Sequence, residues 1–308
     1  MGRGRTPRNL PATLPPRGRN PTIRAVPKRR IESGRAGRAR AAAAPRASYR
    51  LTLEYDGTRY HGWQEQPNAR TVAGALRLAA EALFAAPVEL GGSGRTDAGV
   101  HALAQIAHLR SGHPLEPRAI QHGLNDRLPP DIHVLWVEPS AAGFDARRDA
   151  RGRSYLYQVA TRRTAFLKRF VWWIKDPLRL EPMQNAARLL LGRHDFHDYC
   201  EQPRQQRSTI VVVESVELAA QGDLILFRIV ASHFLWKMVR RVVGLLAAVG
   251  RGALTAEQAF GALDRRAPAP PLGHSAPPAG LFLERVLYPG SAALEPLAPA
   301  LPLRTPRC

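Results

Sequence analysis

The sequence predicts an α+β fold with a mostly antiparallel sheet, and three observations carry that prediction. Strand-like alternation recurs along the chain without strict strand–helix–strand succession. Apolar residues at three-and-four spacing mark a few helices among the strands. The pattern also comes in two sets, residues 48–150 and 151–289, which suggests two similar halves, each a sheet backed by helices.

The first set opens with regular alternation over residues 49–55, and Asp56-Gly57 ends that strand in a turn. Val72, Leu76, Ala79, Ala80 and Leu83 then fall on one face of a helix. Strands are expected near residues 88–90 and 105–109, a helix over 117–128 and a strand over 132–137. In the second set, Tyr155, Tyr157 and Val159 alternate from Arg153 onward. A helix over 183–191 and strands over 210–218 and 224–230 follow. Leu235, Met238, Val239, Val242, Leu245, Leu246 and Val249 make an apolar helical stripe whose opposite face carries Lys237, Arg240 and Arg241. A strand over 281–287 closes the set.

The formal charge of +20 is uneven. Residues 1–47 hold 13 Lys or Arg, a single acidic residue (Glu32) and seven prolines, while the remainder carries 32 basic and 24 acidic residues. Such a basic surface points to a polyanion, and nucleic acid is the commonest for an enzyme. The first 47 residues lack the apolar content to offset chain entropy and are expected to be a disordered tail. An RNA-binding arm ranks first for its role, a translation start placed too early second, and a mitochondrial transit peptide third. Residues 290–308 are expected to be a second disordered, proline-rich tail. No apolar run approaches a membrane span, and no apolar secretory core is visible, so the cytoplasm is the expected location with no membrane partner. Cys200 and Cys308 give neither a disulfide framework nor zinc spacing, and the ten histidines are scattered. No metal site and no cofactor are expected.

The most informative stretch is Gly94-Arg95-Thr96-Asp97-Ala98-Gly99-Val100-His101-Ala102. It sets an aspartate on a glycine-flanked loop, with Arg95 two positions away and, in extended chain, on the same side. A guanidinium there would keep the carboxylate ionised and could hold a phosphate. Asp97 is then a candidate nucleophile or general base; the plain alternative is an aspartate capping a helix. Local chemistry alone leaves both open.

Further motifs stand in a fixed order around this run: residues 55–64, Arg70-Thr71-Val72, Leu128-Pro129-Pro130-Asp131-Ile132, Phe144-Asp145-Ala146-Arg147, Arg153-Ser154-Tyr155-Leu156-Tyr157, His194-Asp195-Phe196, Arg207-Ser208-Thr209-Ile210, residues 234–240 and residues 276–281. Together with the aspartate loop they resemble the tRNA pseudouridine synthase A family over about residues 48–289. The resemblance implies two ferredoxin-like halves sharing a continuous sheet, a basic active-site cleft between them and a homodimer. It implies a cofactor-free isomerisation of uridine to pseudouridine in the anticodon arm of tRNA, at positions 38–40, on a base flipped from its stack. Asp97 matches the family's essential aspartate, with attack on sugar, attack on base and removal of a sugar proton all left open as first steps. Arg95 would orient it, and Tyr155 would stack on uracil and relay a proton, leaving Tyr157 to the core. Arg240 matches a cleft arginine and Leu281 an apolar wall of the uracil pocket. Arg59 and Arg70 are candidate RNA-backbone contacts, followed by Lys168 or Arg169. Lys237 stands where bacterial relatives often carry histidine, and Arg241 reads as a solvated helix face. Two other function classes compete: the same reaction on another RNA or tRNA position, and a noncatalytic RNA-binding protein. A hydrolase ranks behind both, since no second catalytic carboxylate or nucleophile elbow stands out.

Overall fold

The computed structural model describes residues 47–205, 208–268, 270 and 273–303, all within one unit spanning Ala43–Cys308. The basic tail expected over residues 1–47 lies outside the described residues, apart from Ala47.

The first half runs β1 (Ala47–Tyr55), α1 (Val72–Phe84), β2 (Glu89–Gly92), β3 (His101–Ser111), α2 (Pro117–Asn125) and β4 (Ile132–Pro139). β1 lies between β3 and β4, antiparallel to both, and β2 adds antiparallel to the far edge of β3. The second half runs β5 (Gly152–Ala160), β6 (Trp172–Trp173), α3 (Leu180–Arg188), β7 (Gly192–Asp195), β8 (Ile210–Gln221), β9 (Leu224–Ala231), α4 (Met238–Gly250), α5 (Ala256–Phe260) and β10 (Leu281–Leu287). Here β5 lies between β9 and β10 in the same manner, with β8 beyond β9. Apart from β6, β7 and α5, which the second half adds, both halves follow one strand–helix–strand–strand–helix–strand plan. A short parallel pairing of β10 with β3, at Phe282 with His101 and Leu283 with Ala102, joins them into one mixed, mostly antiparallel sheet.

Thr71 caps α1 by accepting from the Gly74 amide, and Thr255 forms a capping box at α5. The helices bury their apolar stripes on one sheet face, where Leu51, Leu53, Leu76, Ile120, Tyr157, Ile229 and Leu246 share a core. In the second half the reverse face is apolar too, with Leu156, Leu226 and Phe282 in a separate buried cluster. Among the described residues no helix covers it; Leu297, Ala300 and Leu303 pack on it, with Leu103, Leu167 and Phe170. Residues 291–303, expected to be disordered, contain neither helix nor strand but are held in place. Gln221 donates to the Leu297 carbonyl at 2.6 Å, Arg228 to that of Glu295 at 2.9 Å, and the Ala300 amide donates to Gln158 at 2.7 Å.

Most expected elements lie within a few residues of their observed bounds. α3 starts three residues before the expected 183, and the two-residue β6, four-residue β7 and five-residue α5 are too short for periodicity to mark. α4 starts at Met238 rather than Leu235 because Lys237 adopts a left-handed backbone, φ 59°, that no helix continues through.

Candidate active site

One edge of β3 changes partners partway along. β2 occupies it at residues 107–110, and β10 takes it at His101 and Ala102. The loop from Ser93 to Val100 leaves the sheet at that change, where the two halves meet. Gln105, fully buried beneath it, donates to the Gly94 carbonyl at 2.7 Å and accepts from the Gly94 amide at 3.1 Å. From the first half, the Trp63 amide donates to the Thr96 carbonyl at 3.1 Å, and Tyr55 and Thr96 share a hydroxyl hydrogen bond at 2.8 Å. Gly62, at φ +90°, permits this approach, since a Cβ there would stand 2.4 Å from the Thr96 carbonyl oxygen.

The clamp presents Asp97 to a cleft of about 1230 Å³. The guanidinium beside the carboxylate belongs to Arg240 (3.6 Å), not to Arg95 as the short spacing suggested. Arg240 is aimed by its own bond to the Ala276 carbonyl at 2.7 Å. Arg95 lines the same cleft as an exposed side chain. Burial pushes the Asp97 carboxyl above its ordinary value; Arg240 and Lys237 pull it down, aided by hydrogen bonds from Arg240 and Trp236, without cancelling the rise.

Tyr155 lies on the cleft wall, its ring edge-on to Phe234 at 4.9 Å. Burial keeps its phenol protonated far above neutral pH, with Tyr55 and Asp97 adding to the effect. Tyr157, two residues on, is core: it is fully buried and donates to the Pro277 carbonyl at 2.7 Å. Leu281, the first residue of β10, supplies apolar wall. Asp97, Arg95, Tyr155, Arg240 and Leu281 therefore meet in one cleft.

Arg59 and Arg70 do not join them. Arg59 is exposed on the turn after β1, and Arg70 lies 4.6 Å over the Tyr60 ring and 3.5 Å from Asp131. Arg169 is likewise taken by Asp56, at 3.4 Å. The cleft adds residues that spacing did not single out for it, among them Arg147, Arg153, His233, Phe234, Trp236 and Lys237. The helical stripe set Lys237 on the polar face of the helix, whereas its left-handed backbone takes it out of helical phase. Arg241 does lie outside, bound to Glu201 at 3.2 Å. Among the described residues no group of three His, Cys, Asp or Glu side chains could hold a metal, and no helix is long and apolar enough to cross a membrane.

The two halves of the α+β sheet thus meet around a partly buried, arginine-held aspartate that faces the cleft. A family model described as tRNA pseudouridine synthase matches residues 52–147 and 186–289, and the chain belongs to that family of isomerases. Among curated relatives, the tRNA pseudouridine synthase A of Agrobacterium fabrum is 38% identical over 249 residues, covering 78% of this chain and 92% of its own. That of Nitrobacter winogradskyi is 41% identical, covering 80% and 98%, and that of Myxococcus xanthus 40% identical, covering 78% and 91%.

Proposed function

We propose that the cleft isomerises uridine to pseudouridine in the anticodon arm of tRNA, at positions 38–40, with Asp97 as the catalytic carboxylate. The setting of Asp97 carries this reading: an arginine-held carboxylate, largely withdrawn from water, at the foot of a cleft with aromatic and apolar walls. The reaction breaks the N1–C1′ bond, forms a C5–C1′ bond, moves the C5 proton off and returns one to N1. Atoms and electrons balance within the nucleoside, so a carboxylate, a proton relay and a pocket for the detached uracil suffice.

A stacked base cannot reach a carboxylate so placed, so the target nucleotide flips into the cleft. Uracil then lies between the Tyr155 ring and Leu281 while Arg240 holds Asp97 towards the glycosidic bond. The neutral Tyr155 hydroxyl is suited to donating a proton. Arg95 and Lys237 meet backbone phosphates, which fix the RNA's position without reading its sequence. The reading includes a cytoplasmic homodimer that needs no added cofactor.

The test compares full-length protein and Asp97→Ala on tRNA transcripts, mapping pseudouridine by position. Wild type should modify uridines at 38–40, and Asp97→Ala should modify none while binding tRNA within a few fold of wild type, because phosphate contacts supply the affinity. Pseudouridine at other positions would refute the target, and turnover by Asp97→Ala would refute the mechanism.

A further inference from the structure

Among the described residues, Arg153 is buried without a counter-ion. The other buried arginine, Arg228, has Glu284 at 2.6 Å and Glu217 at 3.0 Å, and the half-buried Arg240 has Asp97. Arg153, only 8% exposed, is bound solely by neutral oxygens. Its guanidinium donates to the Ser93 carbonyl at 3.0 Å and hydroxyl at 3.1 Å, the Arg147 carbonyl at 2.9 Å and the Ser232 carbonyl at 3.3 Å. Arg147 and His233 line the cleft with it, and among the described residues neither Arg147 nor Arg153 forms an ion pair. A cation removed from water without a carboxylate is costly unless some other anion offsets it.

We propose that Arg153, Arg147 and His233 form a phosphate subsite in the cleft, taking a backbone phosphodiester of the RNA beside the nucleotide presented to Asp97. The inference rests on reading this cleft as the RNA-modifying site. Arg147 supplies an exposed planar fork for two phosphate oxygens, His233 a third donor when protonated, and Arg153 a fixed charge behind them. Arg153 also grips Ser93, where the Asp97 loop begins, so a phosphate held here bears on the loop that presents the carboxylate. The groups facing His233 agree with an anion site: burial holds its imidazole below the ordinary value, and Arg153 and Arg147 depress it further. Its Nδ1 has a neutral partner, the Ser232 hydroxyl, at 3.1 Å.

The test follows the His233 imidazole by NMR across pH in the full-length protein, alone, with an anticodon stem-loop RNA and with inorganic phosphate. Bound RNA should move the titration midpoint upward, because a phosphate replaces an uncompensated cationic field with an anionic one. Arg147→Gln and His233→Ala should each weaken RNA binding by about tenfold, the effect of losing one charge-assisted hydrogen bond. Arg147→Gln should also lower the slope of log affinity against log salt by about 0.7 to 0.9. These two positions are informative because neither side chain holds the backbone, as Arg153 does. RNA that binds and is isomerised without moving the His233 midpoint, with both variants retaining wild-type affinity, would overturn the subsite alone. A raised midpoint with RNA that is not modified at 38–40 would keep the subsite and refute the anticodon reading. Inorganic phosphate acting as strongly as RNA at equal concentration would mark a free-phosphate site and overturn the backbone assignment.

Discussion

At Asp97 two electrostatic effects oppose each other, and burial outweighs the nearby cations. The folded-state value therefore lies above the ordinary 3.8, and the ionised form is reached only at higher pH than in the unfolded chain. If the reaction uses the carboxylate, turnover should rise with pH along an acid limb centred above 3.8 in single-turnover assays. A limb centred at or below that value would mean that the ionised group is not rate-determining. The sign for stability is opposite: a raised carboxyl value contributes stability below the unfolded value, and this is lost as pH rises through the folded one. Asp97 in its working form thus costs the fold something. Tyr155→Phe isolates the hydroxyl from the ring: tRNA binding should persist and most turnover, about a hundredfold, should vanish. Near-normal turnover would leave the ring as the whole contribution. At this scale the sequence singled out Asp97, Tyr155 and Arg240, all of which line the cleft, but its short spacing put the wrong guanidinium beside Asp97. Arg95 is close in sequence, whereas Arg240 arrives from the start of α4, 143 positions away, a proximity no local spacing encodes.

The elements that hold these residues were legible as elements, less so at their ends. The apolar stripe of α4 was plain, yet its phase could not reveal that Lys237 turns left-handed and that the helix begins one residue later. That turn puts Phe234, Trp236 and Lys237 in the cleft instead of on a helix face. Left-handed backbone at a non-glycine residue costs about 1–3 kcal/mol, a cost tolerated where it positions functional groups. The opposite wall depends on the glycine after His61. Gly62→Ala would add a Cβ 2.4 Å from the Thr96 carbonyl, at a φ that alanine disfavours. The Thr96–Asp97 segment must then shift. Displacement of about 1 Å at a reacting group can cost about a hundredfold in rate. Gly62→Ala should accordingly lower kcat by tenfold or more, about 1.4 kcal/mol, with a smaller change in tRNA affinity. Unchanged kcat would show that the contact between the 57–63 turn and the loop does not set the position of Asp97.

Across the whole molecule, alternation and helical spacing gave two similar halves but not their seam. Within the sheet the halves are joined by two residue pairs of β3 and β10, too few to leave a periodic mark, and strand order depends on contacts far apart in the chain. The same limit hid the role of residues 291–303. Their proline-rich composition reads as disorder on its own, and only the uncovered apolar face of β5, β9 and β10 gives them something to bury. The family match ends at residue 289, so this segment lies beyond it. Alternation along β5 also separates the two surfaces: Tyr155 and Tyr157 belong to the helix-side core, while Leu156 and Ala160 belong to the reverse cluster. Ending the chain after Pro289 should therefore lower stability without dismantling the cleft. Losing Leu297 and Leu303 uncovers Leu156, Leu226 and Phe282, each large side chain accounting for about 1.5–3 kcal/mol of burial. Release of the ordered backbone offsets much of that. A net loss of even 1 kcal/mol would lower the melting temperature by about 2–4 °C in a domain of this size. The truncated protein should melt earlier and bind more of an apolar dye, yet retain kcat at temperatures well below its transition. An unchanged melting curve would mean the segment does not cover that face in solution. Lost activity in a folded truncated protein would mean instead that the reverse face communicates with the Asp97 loop, through Phe282 stacked on His101 at 4.9 Å.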